Sequence, residues 1–210
     1  MARHGRTGWN AAGRYQGQAD PPLDRTGRAQ AERLAAELVG FRPAFVLSSD
    51  LRRARDTAAA VAGRCGLEPV TDPALREVDL GGWEGLDPAE AARRYPDEYR
   101  AWSAGEDVAR GGGETLARAG ARAAAAVALA VDQLARRPGD ERTAVVVTHG
   151  LVLQGALSSL AGAGRILLPD GGAPHLANGA WLAVTGWRSA TTPGAAQTVS
   201  FSSGSARPNL

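Results

Sequence analysis

Four short segments of the sequence carry side chains that can bind or attack a phosphate group. They are Arg3-His4-Gly5, residues 48–54 (Ser-Ser-Asp-Leu-Arg-Arg-Ala), Leu75-Arg76-Glu77 and Thr148-His149-Gly150. Guanidinium groups hold phosphate oxygens in a bidentate fork. Neutral imidazole can attack phosphorus through one nitrogen when the other nitrogen keeps its proton in a hydrogen bond. Such groups, if the fold brings them together, could transfer a phosphoryl group and protonate the departing alcohol.

The pattern of apolar residues predicts an α/β domain whose loops carry these segments. Helices are predicted after the N-cap Asp24 to near Gly40, from Leu51 to before Gly66, and over 87–95, 97–104, 115–137 and 150–162. Strands are predicted over 44–48 and 143–148, and residues 180–187 and 198–202 alternate like sheet strands. Because ligands bind beyond the carboxyl ends of parallel strands, the position of His149 directly after one strand is informative.

Taken together, the four segments resemble the motifs of the histidine phosphatase superfamily, which is also called phosphoglycerate mutase-like. The opening motif reads Arg3-His4-Gly5-Arg6-Thr7-Gly8-Trp9-Asn10, the other three follow in the family order, and the resemblance extends to about Trp187. It implies an α/β fold with three α/β/α layers and a mostly parallel central sheet. We expect one domain over residues 1–202, with a helical cap insertion at about 85–115, and a frayed polar tail over 203–210.

This resemblance implies a mechanism and a role for each matching residue. His4 would be the nucleophile that forms a phosphohistidine, and Glu77 would act as general acid and then as base. Arg3, Arg53 and His149 would complete a cage around the phosphate group. The chain is therefore expected to hydrolyse a small phosphate monoester without a metal ion or other cofactor.

Further residues are expected to bind the substrate or to lie outside the site. The expected substrate-binding residues are Thr7, Asn10, Gln16, Gly17 and Gly150. Glu84 is a rival carboxylate for the role of Glu77, but in the resemblance it would support the neighbouring loop. His175 is expected to be an exposed loop residue and is not included in the site. Residues 48–58, 75–86 and 178–187 are especially similar to actinobacterial phosphatases of this superfamily. Phosphorylated sugars or sugar acids are therefore candidate substrates.

Two alternative functions stay open at this point. A phosphoglycerate mutase must keep water from the phosphohistidine, and family mutases carry longer insertions between the glutamate and the second histidine. Here that stretch consists mainly of helices and Gly111-Gly112-Gly113, which favours a phosphatase. The other alternative is a phosphate-binding protein without catalysis. Family members place an apolar strand directly before the first motif, whereas only Met1 and Ala2 precede it here, so this strand is expected to be absent.

Composition argues against several other classes of protein. The 210 residues are 44% hydrophobic and carry a net charge of only +2, without a basic face that contains aromatic residues, so nucleic-acid binding is not expected. The sequence contains no lysine, which excludes a Walker A loop, and three histidines with one cysteine offer no paired metal ligands. No apolar run approaches the roughly 20 residues of a membrane span. With no recognisable signal peptide, a cytoplasmic protein is expected, and a homodimer is an open alternative.

Overall fold

The computed structural model describes residues 1–136, 143–184 and 187. Within these residues, four strands form one sheet: β1 (Ala2–Arg3), β2 (Phe45–Ser48), β3 (Pro69–Thr71) and β4 (Ala144–Thr148). Their order across the sheet is β1-β4-β2-β3, and every neighbouring pair is parallel. The predicted parallel sheet is confirmed, and β3 is a strand that the sequence pattern did not indicate. Residues 198–202 and 203–210 lie outside the described part.

Seven helices connect or flank these strands in the described part of the chain. They are α1 (Gly8–Ala11), α2 (Arg25–Leu38), α3 (Arg52–Cys65), α4 (Pro88–Arg94), α5 (Pro96–Ser103), α6 (Leu116–Ala135) and α7 (Gly150–Gly162). The predicted helices agree with α2 to α7 to within a few residues at each end, and α1 was not predicted. Asp24 accepts a hydrogen bond from the Gly27 N–H, as its predicted role as the N-cap of α2 requires.

The side chains of the central strands alternate between two apolar cores. Val145 and Val147 pack in one buried cluster with residues of α2 and α3, whereas Val146 packs in the other with residues of α6 and α7. Helices therefore cover both faces of the sheet, and the predicted three-layer fold is confirmed. This burial on both faces explains why β4 is a continuous β-branched run rather than an alternating one.

The expectation that the first strand is absent is wrong. Ala2 and Arg3 form a two-residue strand that pairs with Val147 and Thr148 of β4. On the other side, Ala2 forms an antiparallel bridge with Trp181, and the Arg3 N–H donates to Ala180 O over 3.0 Å. Backbone pairing on both sides holds the segment, even though two residues are too few to show an alternating pattern.

The strand predicted over 180–187 is shorter than expected. In this predicted segment, bridge pairings occur at Trp181 and Leu182 but not at the other described residues. Residues 185 and 186 lie outside the described part. The partner of this segment is the short β1 region, since the Leu182 N–H donates to Met1 O over 2.9 Å.

Residues 85–115 contain α4, α5 and a 3₁₀ turn at Arg110–Gly112. An aromatic cluster connects this region to the body of the domain. Trp83 is fully buried at its centre, and four rings surround it with centroids 5.3–6.4 Å away: Tyr15, Tyr95, Tyr99 and Trp102. Such aromatic pairs add about 0.5–1.5 kcal/mol each beyond the burial of their area, so the cluster fixes the position of α5.

Two glycines allow α6 and α7 to cross in close contact. A Cβ atom added at Gly120 would lie 2.4 Å from the carbonyl carbon of Gly155, and one added at Gly155 would lie 3.0 Å from the Gly120 Cα. The nearest obstacles are backbone atoms, which cannot rotate away as a flexible side chain could. The packing of α7, which carries His149 at its N-terminus, therefore depends on these two residues.

Replacement of Gly120 by alanine is expected to destabilise the protein. Forced overpacking should lower the free energy of unfolding by about 1–3 kcal/mol. The matched control is Gly63→Ala in α3, an exposed position where an added Cβ meets nothing within 4 Å. The control should be neutral or stabilising by about 0.4–1 kcal/mol. Urea unfolding followed by circular dichroism measures both, and a Gly120→Ala protein as stable as the wild type would contradict this packing argument.

Candidate active site

The carboxyl ends of the parallel strands bring the four sequence segments together. His4 follows β1, Arg53 lies in the first turn of α3 after β2, and His149 follows β4 as the N-cap of α7. Because β1 and β4 are neighbours, the two histidine rings lie side by side, with centroids 5.1 Å apart and planes inclined at 59°. Both histidines are buried.

The position and protonation of His4 follow from its backbone surroundings. Its Nδ1 lies 2.6 Å from Gly5 O, and since a carbonyl only accepts, Nδ1 must carry the ring proton. Burial and the charges of Arg53 and Arg3 hold the pKa of His4 well below its ordinary value, although the hydrogen bond to Gly5 opposes this shift. His4 is therefore a neutral imidazole whose Nε2 has a lone pair. Asn178 Nδ2 donates to His4 O over 3.2 Å and so anchors the residue.

Arg53 is fully buried beside the two histidines. Its Nη1 donates to Ala19 O and its Nη2 to Gly17 O, each over 2.7 Å. Its Nε is buried without a hydrogen-bond partner in the described structure. Burial lowers the pKa of Arg53 to about 10, with the charge of Glu77 as the largest opposing influence, so the side chain stays cationic at neutral pH.

Arg3 supplies a second cation at the same edge of the sheet. Its Nη1 donates to Leu176 O over 2.8 Å and lies 3.4 Å from His175 Nε2, while its Nε is buried without a partner among the described residues. Burial lowers the pKa of Arg3, and the charge of Glu77 opposes this effect. Both arginines thus keep one donor that the described protein does not satisfy, as expected of a site for an anion.

His149 has one engaged ring nitrogen and one unsatisfied ring nitrogen. Its Nε2 lies 2.9 Å from Ser49 Oγ, whereas its buried Nδ1 has no partner in the described structure. Burial, followed by the charges of Arg53 and His4, places the pKa of His149 well below its ordinary value, so this ring is also neutral. If the Ser49 hydroxyl donates to Nε2, the ring proton lies on Nδ1, which then becomes a third free donor.

The carboxylate of Glu77 is held by the N-terminus of α7. Its Oε1 accepts from Val78 N over 3.0 Å and from Val152 N over 2.8 Å, and its Oε2 accepts from Leu151 N over 3.2 Å. Val152 and Leu151 belong to the first turn of α7, where free N–H groups and the helix dipole favour a negative charge. One helix therefore positions both His149 and Glu77.

Arg122 fixes the backbone of the segment that carries Glu77. From α6, its Nη1 donates to Ala74 O over 2.7 Å and to Arg76 O over 2.8 Å, and its Nη2 donates to Glu77 O over 2.9 Å. It also pairs with Glu114. The sequence did not indicate Arg122, because nothing local distinguishes it from the other arginines.

Two predicted glycines make room for charged neighbours. A Cβ added at Gly150 would lie 3.2 Å from Arg3 Cζ, so a side chain there would displace the guanidinium group. Gly17 has a φ of +51°, and a Cβ there would lie 2.2 Å from Glu84 Oε1. That same carboxylate oxygen accepts from Gln18 N over 2.6 Å, so Glu84 supports the loop in the expected manner. Substrate binding by Gly17 and Gly150 stays a prediction.

Thr7 occupies a different position from the one expected of a direct substrate donor. It is fully buried as the N-cap of α1, where its hydroxyl accepts from Asn10 N over 3.1 Å and donates to Gln16 Oε1 over 2.8 Å. Asn10 Oδ1 accepts from Thr7 N and from Asn178 Nδ2. Both amide oxygens are thus engaged, while no hydrogen bond from the NH₂ group of Asn10 or Gln16 occurs in the described part. Because the Thr7 hydroxyl is used in hydrogen bonds to Asn10 and Gln16, Thr7 orients the side-chain amides of these two residues.

Several contributors were missed by sequence reasoning. Ser49 lies within a recognised segment, but only the fold shows that it contacts His149. Asn178 precedes a glycine of positive φ, a weak turn signal that says nothing about His4. His175 is exposed, as expected, yet its ring lies against Arg3 at the edge of the site.

Two further features of the described residues bear on function. Within residues 1–136, 143–184 and 187, no three histidine, cysteine, aspartate or glutamate side chains form a group that could hold a metal ion. In the same ranges, no helix has the length and apolar character needed to span a membrane.

Comparison with known proteins identifies the family. The model of the histidine phosphatase superfamily (branch 1) matches residues 1–188. This chain belongs to that superfamily. The predicted family is confirmed.

The relatives of this histidine phosphatase include named phosphatases. The glucosyl-3-phosphoglycerate phosphatase of Mycobacterium tuberculosis is 38% identical over 193 residues, which cover 89% of this chain and 84% of the relative. The metal-independent phosphoserine phosphatase of Arabidopsis thaliana is 36% identical over 189 residues, covering 87% and 77%. A solved structure of mycobacterial glucosyl-3-phosphoglycerate phosphatase in complex with VO₃ superposes with a TM-score of 0.76 at 32% identity, covering 97% of this chain and 95% of the other. These relatives support phosphomonoesterase activity.

The buried histidines of this histidine phosphatase should make its stability depend on pH. The folded pKa values of His4 and His149 lie well below the unfolded value near 6.5. Below about pH 6.5 the unfolded chain therefore binds protons that the folded chain does not, which lowers the free energy of unfolding. Between pH 7.5 and 5.5 the two histidines should remove about 2–3 kcal/mol.

Urea unfolding at intervals between pH 7.5 and 5.5 measures this effect. A His4→Asn/His149→Asn double variant should show a shallower dependence. The residual slope comes from the Met1 amino group, whose pKa burial lowers to about 5, and from His175, whose pKa burial also lowers. The paired carboxyls Asp24 and Asp50 have pKa values below 3.8 and do not titrate in this window. A wild-type midpoint that is constant or rises towards pH 5.5 would contradict neutral buried histidines.

Proposed function

We propose that this chain is a metal-independent phosphatase that hydrolyses a small phosphate monoester through a phosphohistidine at His4. The observation that carries this proposal is a neutral His4 beside three buried nitrogen atoms, on Arg3, Arg53 and His149, that have no hydrogen-bond partner among the described residues. A phosphate group would supply acceptors for all three. The lone pair of His4 Nε2 would then meet a phosphorus atom whose charge is already stabilised.

In the first half-reaction, His4 Nε2 attacks phosphorus, forming the N–P bond while the ester P–O bond breaks. Arg3 and Arg53 donate to the phosphoryl oxygens, where negative charge is concentrated. His149 Nδ1–H donates to the same group, with its proton held on Nδ1 by the Ser49 hydroxyl at Nε2. The Gly5 carbonyl stabilises the positive charge that develops on the His4 ring.

Glu77 would transfer the protons of both half-reactions. In the first it gives a proton to the departing alcohol oxygen. In the second, the resulting carboxylate, held by the N–H groups of Val78, Leu151 and Val152, takes a proton from the attacking water. Water cleaves the N–P bond, inorganic phosphate leaves, and both His4 and Glu77 return to their starting states.

The proposed substrate class is a sugar phosphate or a phosphoglycerate-type ester. The two curated relatives are named for phosphoserine and for glucosyl-3-phosphoglycerate, and both compounds are phosphate esters of hydroxy acids. Asn10 and Gln16 have amide NH₂ groups available to a phosphate, and we assign them to substrate binding. Hydrolysis is favoured over mutase-type transfer because these relatives are named phosphatases.

Hydrolysis of p-nitrophenyl phosphate by the wild type and by His4→Ala tests the mechanism. Activity should persist in the presence of a chelator and should fall on the order of 10⁴-fold or more when the nucleophile is removed. Protein denatured in alkali during turnover should carry a phosphoryl group on His4, since phosphohistidine is acid-labile. Activity that a chelator abolishes and a metal restores, or that survives His4→Ala undiminished, would rule out this mechanism.

The products formed from 3-phosphoglycerate separate the alternatives. Release of inorganic phosphate supports the phosphatase, whereas isomerisation to 2-phosphoglycerate without phosphate release would identify a mutase. Saturable binding of phosphate by a protein that is inactive towards every ester would support the non-catalytic alternative.

Arg122 is expected to act on catalysis through the position of Glu77. In Arg122→Met, kcat/KM for glycerol 3-phosphate should fall about 10- to 100-fold, because the alkoxide needs a proton from a general acid. For p-nitrophenyl phosphate the loss should stay below about threefold, since p-nitrophenolate departs without protonation. The matched control is Arg118→Met, an exposed position of α6. Equal losses for both substrates would show that Arg122 has a general structural role instead.

A further inference from the structure

Arg110 is a buried cation that the described protein leaves without a hydrogen-bond acceptor. The residue is only 4% exposed, and its Nε is buried with no hydrogen-bond partner among the described residues. No hydrogen bond from its Nη atoms occurs within the described residues. Its Cζ lies over the Trp102 ring, 5.8 Å from the centroid. An unpaired buried guanidinium group is costly, so its place here suggests that an anion completes it.

The backbone around Arg110 is rigidly held. Gly111 N donates to Glu98 Oε2 over 2.6 Å, which connects the turn to α5. Gly111 has a φ of +60°, and a Cβ there would lie 2.5 Å from Gly82 N and from Leu80 O. The turn therefore packs backbone to backbone against the segment that follows Glu77, which leaves Arg110 little freedom to move towards solvent.

Arg110 lies on the Glu77 side of the site. Burial lowers the pKa of Arg110, and the charge of Glu77 is the largest of the influences that oppose this shift. A cavity of about 160 Å³ adjoins the side chain and is lined by Arg110, Trp102 and Leu151 among others. The Leu151 N–H donates to Glu77 Oε2 over 3.2 Å, so one residue of the cavity lining also contacts this carboxylate.

Glu106 and Asp107 also line this cavity, and two acidic side chains near Arg110, Asp107 and Glu98, are engaged by backbone N–H groups. Asp107 accepts from Leu116 N over 2.7 Å and from Ala117 N over 2.9 Å, where it caps the start of α6. Glu98 accepts from the backbone of the turn, as described above. Neither forms an ion pair with Arg110 in the described structure. The guanidinium fork is thus available to a ligand rather than used in a structural salt bridge.

We propose that Arg110 determines substrate specificity by binding a carboxylate on the alcohol portion of the substrate. This inference rests on the proposed function, because Glu77 protonates the departing oxygen and so places the alcohol on its own side of the phosphate. A planar carboxylate matches the guanidinium fork, and one cation beside a small cavity suits one such group better than a second phosphate dianion. The substrate class is a phosphate monoester of a hydroxy acid.

Two substrates that differ only at the relevant group test this proposal. 3-Phosphoglycerate carries a carboxylate where glycerol 3-phosphate carries a hydroxymethyl group. In Arg110→Gln, kcat/KM for 3-phosphoglycerate should fall about 10- to 100-fold, while that for glycerol 3-phosphate should change less than about threefold. Arg110→Lys should restore part of the loss, because lysine keeps the charge but not the fork.

The control variant is Arg100→Gln, an exposed position of α5 that pairs only with the exposed Asp97 in the described structure. It should leave both substrates unaffected. Equal losses for both substrates in Arg110→Gln would overturn the proposal and show that Arg110 is structural. No loss for either substrate would also overturn it. Thermal unfolding of each variant identifies any loss that is caused by poor folding.

A separate binding measurement distinguishes failure of this proposal from failure of the proposed function. If the wild type hydrolyses p-nitrophenyl phosphate but Arg110→Gln shows no carboxylate-dependent effect, only the assignment of Arg110 fails. If the wild type hydrolyses no ester, the proposed phosphatase fails. Calorimetric titration of 3-phosphoglycerate and glycerol 3-phosphate then decides the role of Arg110. Tighter binding of the carboxylate compound that Arg110→Gln abolishes supports it, and equal binding contradicts it.

Discussion

The burial of positively charged side chains is the constraint on which the rest of the structure depends. Arg53 is fully buried, and Arg3 is partly buried beside it. Cations in such surroundings require acceptors and negative charge. The chain provides backbone carbonyl groups for the Nη atoms and the carboxylate of Glu77 nearby, but it leaves each Nε unsatisfied. These two Nε atoms lie where we propose that the phosphate group of the substrate binds.

The same charges also act on the protonation of His4, the proposed nucleophile. Arg3 and Arg53 disfavour a proton on His4, so the groups that would bind phosphate also keep the imidazole neutral. The backbone around the site accommodates these charged side chains. Gly150 leaves space for Arg3, and N–H groups at the N-terminus of α7 donate to Glu77. The helix α7 and the pair of strands β1 and β4 thus determine the relative positions of Glu77, His4 and His149.

Much of the fold could be predicted, because long helices and the buried strand β4 carry strong local patterns, and the four motifs occur in a recognisable order. The misses have physical causes. β1 has two residues and is defined only by partners far along the chain, and β3 begins with a proline and has partly exposed side chains. Arg122 and Arg110 look like any of the 24 basic residues until tertiary contacts separate them. The sequence predicted that Thr7 binds the substrate, because its role as the N-cap of α1 depends on a turn that becomes visible only in the fold.

The pairing of β1 also has a consequence for biosynthesis. Arg3 and His4 leave the ribosome early, but their partners, Thr148 and Ala180, are made last among the residues discussed. At a synthesis rate of about 5–20 residues per second, roughly 10–40 s separate the two events. During that interval His4, the proposed nucleophile, lacks its partner strand β4. The proposed activity therefore requires completion of the sheet.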